Sequence, residues 1–254
     1  MGRDSRSRDL VAEHRPLEIG RRLSSPTGAS WLGDAVLGGS DGVVTTFAVV
    51  AGSAGGGLST AVIIVLGLAN LIADGFSMAV GNYLGTRSRL EEVERARRDE
   101  AWQIGQYPEG EAAEVREIFA RKGFAGETLD RIVETITADR EVWIETMMHE
   151  ELRLSSVSAR PVRAAIATFL AFGLFGFVPL IPFVVPGFDP ASRFAFSAGF
   201  AALAFVALGF WKGKVLKTSL WASALQTLAI GAVAACLAYG AGALLRGLFG
   251  LAAA

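Results

Sequence analysis

One cysteine, Cys236, in 254 residues leaves no disulfide framework and no cysteine-built zinc site. Two histidines, His14 and His149, leave little room for imidazole chemistry. Excess charge of one sign is also missing. Lys+Arg total 24 and Asp+Glu total 25, a net of −1. That balance excludes a strongly basic nucleic-acid binder and an acidic disordered tail, so no nucleic-acid partner is expected. The 30 glycines and 8 prolines are dispersed, which excludes a collagen-like or low-complexity chain. The first 30 residues are polar and Arg-rich and lack the apolar stretch of a signal peptide. Only 19% of residues are charged, against about a quarter in an ordinary soluble domain. The mean hydropathy of +0.41 points the same way.

What is abundant is apolar sequence in long runs. A membrane-spanning helix needs about 20 apolar residues at about 1.5 Å rise each. Five segments qualify: Ala35–Gly57, Leu58–Leu84, Val162–Val185, Phe194–Trp211 and Leu220–Leu245. A large buried helical core is the competing reading, but five such runs would leave no polar face to meet water. The expected fold class is therefore all-α and polytopic, with the lipid bilayer as a partner. Its parts are an N-terminal arm (1–33), spans one and two (34–86), a polar insert (87–160) and spans three to five (161–254).

Lys and Arg placement sets the orientation. The arm carries Arg3, Arg6, Arg8, Arg15, Arg21 and Arg22, and the loop between spans four and five carries Lys212, Lys214 and Lys217. Arg87, Arg89, Arg160 and Arg163 flank the insert, whereas the other side has Arg193 and Arg246. The arm, expected to be mobile and to end near Pro26, and the insert are thus expected in the cytosol. Lys212 and Lys214 read as interfacial anchors. Pro179, Pro182 and Pro186 should bend or end span three early.

Two carboxylates interrupt the apolar spans. Asp41 lies within Gly38–Gly42 of span one and Asp74 within span two. An aspartate at mid-helix costs about 2.5–3.5 kcal/mol on insertion scales, so each is a functional candidate, with a structural hydrogen bond as the bland alternative. From Ala35, Asp41 is about 9 Å deep; from Leu84, Asp74 is about 15 Å deep. Carboxylates at similar depth on antiparallel neighbours could share one cation. Asn70, Asp74 and Met78 recur every four residues and fall on one stripe. An amide oxygen, a carboxylate and a thioether suit a borderline-soft divalent metal, although Met78 could equally be packing. Gly38, Gly39, Gly42, Gly75 and Gly81 permit close helix approach.

The insert holds 12 basic and 17 acidic residues, a net of −5. Span two should continue as helix through Arg87–Gln103, followed by a turn at Gly105–Gly110 and helices over Glu111–Lys122 and Glu127–Leu154. Helical spacing groups Glu111 with Glu114, Glu100 with Gln103, and Met147 and Met148 with Glu151. Solvated surface for each glutamate and core for the methionine pair are the bland readings. A di-iron bundle would need Glu-x-x-His pairs, which the sequence lacks, so a ferroxidase or other enzyme is not expected.

These segments together resemble the vacuolar iron transporter family, which includes plant nodulin-21-like carriers and the yeast vacuolar iron/manganese carrier. The resemblance rests on Gly39-Ser40-Asp41-Gly42 with Phe47-Ala48, and on Ala73–Gly85 with Phe76-Ser77-Met78 and Asn82-Tyr83-Leu84. It continues through Tyr107-Pro108, Glu111-Ala112-Ala113-Glu114-Val115 and Met147-Met148-x-x-Glu151. It implies a homodimer of five-span subunits that exports Fe²⁺ or a similar metal from the cytosol against protons. It also implies a transport path at Asp41 and Met78. The family's span-two glutamate is replaced by Asn70, with Asp74 one turn later as a compensating carboxylate. A cytosolic metal-binding domain is implied at Glu100, Glu111, Glu114, Met147, Met148 and Glu151, with Gln103 replacing one family glutamate.

The expectation is a divalent-metal/proton antiporter with no cofactor other than transported and regulatory metal: Fe²⁺ first, then Mn²⁺ or Zn²⁺. Two alternatives stand beside it: an Mn²⁺ exporter of the same fold, and a membrane-anchored sensor or storage scaffold that does not transport. The short chain and absent targeting signal favour a bacterial inner (plasma) membrane over a vacuole.

Overall fold

The computed structural model describes residues 14–24, 31–154 and 160–250, and every regular element in them is helical. In order these are α1 (Pro16–Ser24), α2 (Trp31–Gly55), α3 (Thr60–Gln106), α4 (Pro108–Arg121), α5 (Gly126–Thr137) and α6 (Arg140–Glu150). Then come α7 (Pro161–Gly176), a 3-10 turn (Val178–Leu180), α8 (Ile181–Val184), α9 (Arg193–Val215) and α10 (Leu220–Phe249). Contacts divide the chain into two units, one of residues 30–88 and 160–254, the other of 1–29 and 89–159.

The first unit is a membrane-spanning bundle. Five segments are long and apolar enough to cross a bilayer: α2, α3, Pro161–Val184, α9 and α10. Their outer faces stay open, with Leu174 and Leu237 each 70% exposed, which sets aside a closed water-soluble core. Between helices in lipid, association depends on close packing rather than on excluding water. That packing is tightest where α2 meets α7. A Cβ added to Gly38 would run into the Thr168 backbone, and one added to Gly42 into the Phe172 carbonyl. Gly39 faces the side chains of Phe175 and Leu208, and Gly75 faces Phe172. Gly81 differs from expectation, since nothing lies within 4 Å of the position its Cβ would take. Val43, Phe47, Leu71, Phe172, Leu180 and Phe205 fill the interior.

The third span breaks as its prolines require. α7 stops at Gly176, Pro179 lies in the 3-10 turn, and Pro182 lies in the four-residue α8. α3 has 47 residues, roughly 70 Å at helical rise against a hydrocarbon core of about 30 Å, so it runs far beyond the bilayer. No glycine or proline interrupts it between Thr86 and Ile104.

In the second unit the end of α3 joins α4, α5 and α6 around Ile104, Val115, Leu129, Val133, Trp143, Ile144, Met147 and Met148. The single helix expected over Glu127–Leu154 is two helices. Asp139 takes an extended backbone and its side chain accepts from the N–H groups of Glu141 and Val142, so it caps α6 and ends the preceding run. The turn expected at Gly105–Gly110 shrinks to Tyr107, because Pro108 supplies the first residue of α4. Of the N-terminal arm, Pro16–Ser24 is helical. Arg3, Arg6, Arg8 and the expected end at Pro26 lie outside the described residues.

Candidate functional site

Two hydrogen bonds define the register of α3 against α2. Asn82 Nδ2 donates to Asp34 Oδ1 at 2.9 Å, and Asn70 Nδ2 donates to Thr45 Oγ1 at 3.3 Å. Twelve residues back along α3 thus match eleven forward along α2, so the helices are antiparallel. By that register residue 74 lies opposite residue 41, and the two carboxylates are within electrostatic range of each other. The helix begins at Trp31 rather than Ala35, which places Asp41 ten residues, or about 15 Å, from its start. That equals the depth of Asp74 measured from Leu84.

Asn70, Asp74, Met78 and Asn82 are all half-buried, one helical turn apart along α3. Thr45 Oγ1, which accepts from Asn70, itself donates to the Asp41 carbonyl at 3.0 Å. Met78 packs partly against the apolar interior. The stripe therefore offers, on one line, an amide, a carboxylate, a thioether and a second amide. Asn82 also donates to Thr168 Oγ1 of α7 at 2.7 Å, so a single amide joins three spans. Asp34, Thr45 and Thr168 did not stand out in the sequence. Asp34 is a third carboxylate inside a spanning helix, stabilised by a partner 48 residues away. Lys212 donates to Gln226 Oε1 at 3.4 Å, and Lys214 is exposed at the end of α9.

The second unit gathers the carboxylates of Glu100 (α3), Glu111 and Glu114 (α4) and Glu151 (end of α6). Glu100 is 2% exposed and Glu111 6% exposed, and one oxygen of each is buried without a hydrogen-bond partner. Burial, followed by the charge of Glu111 and a shared proton with it, pushes the Glu100 carboxyl up to about 8. Burial and then Glu114 raise Glu111, while the proton shared with Glu100 pulls it back. Burial and then Glu114 and Glu111 raise Glu151.

Nearby cations are committed elsewhere. Arg97 pairs with Glu141 and Glu145, Arg116 with Asp130, Arg121 with Glu117, and Lys122 with Glu150. Among the described residues none of the four clustered glutamates has a basic partner. Met147 and Met148 are buried in the core beside Val115 and Ile144, and Gln103 is exposed. Also among the described residues, no three Asp, Glu, His or Cys side chains converge tightly enough to enclose an ion. The cluster is an open set of like charges rather than a closed cage.

A family model for the VIT family matches residues 32–243. The chain belongs to that family. It is 34% identical over 210 residues to vacuolar iron transporter 1 of Eucalyptus grandis, covering 82% of this chain and 83% of that protein. It is 31% identical over 248 residues to the vacuolar iron transporter of Toxoplasma gondii, covering 94% and 80%. Vacuolar iron transporter 2 of Oryza sativa subsp. japonica is 34% identical over 209 residues, covering 82% and 84%. These VIT relatives are eukaryotic and carry the vacuole in their names, so they lend no support to a bacterial inner membrane. The VIT match begins at residue 32, beside Asp34, and takes in both the α3 stripe and the four-glutamate cluster.

Proposed function

We propose that this protein moves a divalent transition metal across a membrane in exchange for protons, with Asp41 and Asp74 as the groups that hold either ion. The observation that supports this reading is the antiparallel register that sets residues 41 and 74 at one level of two helices long and apolar enough to span a bilayer. Two carboxylates at one depth attract a dication strongly, and each can take a proton instead, so metal and proton compete for one site. Asn70 and Met78 supply the neutral donors above and below, a mixed oxygen and sulfur set suited to Fe²⁺ and also to Mn²⁺. The names of the relatives favour iron. In this reading the arm and the insert face the cytosol, and transport runs outward from it.

The Glu100, Glu111, Glu114 and Glu151 cluster is the loading domain. Two buried carboxylate oxygens without partners and four acids without a counter-cation attract a divalent ion, and Met147 and Met148, buried in the core of the same unit, are the soft donors of this reading. Zn²⁺ would compete at such a site. The working unit is a homodimer. The test is flux in proteoliposomes loaded with a metal-sensitive dye, with Fe²⁺ and Mn²⁺ offered together across one pH gradient. Metal uptake that rises with the gradient and alkalinises the lumen in step, as protons leave while metal enters, supports exchange; acidification in step would be co-transport and refutes it. Uptake indifferent to the gradient refutes it, and no uptake at all leaves the sensor or scaffold reading, for which the acidic cluster alone would suffice.

A further inference from the structure

The start of α2, one face of α7 and the end of α9 enclose an open groove of about 580 Å³ that no described residue fills. Trp31, Ala35, Leu170, Leu174 and Trp211 line it, and Arg163 stands at one end. The volume is within the roughly 300–1,000 Å³ of small-molecule sites. Arg163 to Leu174 is eleven residues of helix, about 16 Å, or half of a hydrocarbon core about 30 Å thick. The groove is thus one leaflet deep, apolar along its length and cationic at the mouth.

The mouth is unusually positive for so apolar a surface. Arg160 precedes α7 and Arg163 is its third residue, and both are exposed. Among the described residues neither has an acidic partner. Trp31, 55% exposed, lies at the same end, where amphipathic rings favour the headgroup level. A guanidinium offers paired donors that match a phosphate.

We propose that this groove holds one acyl chain of an anionic phospholipid from the leaflet that meets the start of α7, with the lipid phosphate on Arg163. A chain of that leaflet has the right length, and its headgroup arrives at the guanidinium. A net negative headgroup is preferred over a zwitterionic one because no ammonium competes with Arg163 for the phosphate. The site lies behind the part of α7 that carries Thr168, the acceptor of Asn82.

The test uses the full-length protein in detergent, exchanged with phosphatidylglycerol or phosphatidylcholine and examined by native mass spectrometry. One phosphatidylglycerol per chain should survive, held about fivefold more tightly than phosphatidylcholine, as expected for one basic residue at an anionic headgroup. Arg163→Gln, an exposed change, should remove that preference, and Ala167→Trp should expel both lipids. Equal retention of the two lipids by the unaltered protein overturns the proposal, as does an Arg163→Gln variant that keeps the preference. Displacement of the preference by inorganic phosphate alone would make the ligand a free anion. Disulfide capture of one Ala167→Cys copy by another would make the occupant a second copy. Either result also overturns it.

Discussion

The two units handle negative charge in opposite ways. In the spanning bundle carboxylates are few and their neighbours are neutral: Asn82 donates to the Asp34 carboxylate, and Thr45 links Asn70 to the backbone carbonyl of Asp41. In the other unit acids are many, and the four that cluster have only one another. Amides and hydroxyls keep a site polar without cancelling its charge, so a dication can enter and leave. Crowded acids raise one another's proton affinity, so such a site waits for a cation or a proton. The first arrangement suits passage and the second suits capture.

The sharpest way to break that contrast is to remove the charge from the bundle. Asp41→Ala is expected to drop pH-driven metal flux in proteoliposomes to the level of empty vesicles, a loss of at least about 100-fold, which corresponds to roughly 2.7 kcal/mol. The variant should still run as the same species on size exclusion, because among the described residues the Asp41 side chain makes no hydrogen bond or ion pair that the helix packing needs. Full flux from this variant would remove Asp41 from the path. Asp74→Ala should behave alike if the two acids act as a pair.

Neutralising the cluster should have a smaller effect on flux and a larger one on binding. Glu111→Ala with Glu114→Ala is expected to bind fewer metal ions per chain by calorimetry, while flux at saturating metal falls only several-fold. An unchanged stoichiometry would take the cluster out of metal capture.

Much of this was open to reading along the chain, and most of the misses come from partners distant in sequence. Five spans follow from run length, and the break of the third from Pro179 and Pro182. Asp41 and Asp74 stand out because acids are costly in lipid. Asp34 did not, because span one was read as starting just after it, at Ala35; its amide partner lies 48 residues on, beyond any local pattern. The burial of Glu100 was hidden for the same reason. Its spacing marks a surface helix, and only tertiary packing covers it. Asp139 is the reverse case, a local cap signal overridden in the reading by an amphipathic pattern that continues past it.

Protonation gives a finer comparison. An unfolded glutamate titrates near 4.5, whereas folded Glu100 titrates near 8. Below about 4.5 the group is protonated in both states, and its contribution to stability is fully present. As pH rises towards 8 the unfolded chain releases the proton first, so that stability is progressively lost. The metal-free protein should therefore melt at falling temperature between about pH 5 and pH 8, as followed by tryptophan fluorescence, compared with a Trp143→Phe variant to isolate the signal of this unit. Glu100→Gln should flatten that slope. Metal affinity should run the other way, rising with pH over the same range, with protons released on binding.

The smallest effect belongs to the bundle's neutral donors. Asn82→Ala removes two interhelical bonds, to Asp34 at 2.9 Å and to Thr168 at 2.7 Å. Bonds of this kind average about 0.6 kcal/mol each in membrane proteins, because the separated helices also find partners. The expected loss is thus about 1 kcal/mol in reversible unfolding in mixed micelles, far less than a charge stranded in lipid would bring. Asp34 tests the distinction. With Asn82 gone its carboxylate has lost its donor, so Asp34→Asn should recover stability in the Asn82→Ala background and do little alone. If the double variant is no more stable than Asn82→Ala, the amide serves helix packing rather than the carboxylate, and Asp34 belongs with Asp41 and Asp74 as a charge the bundle leaves exposed to its cargo.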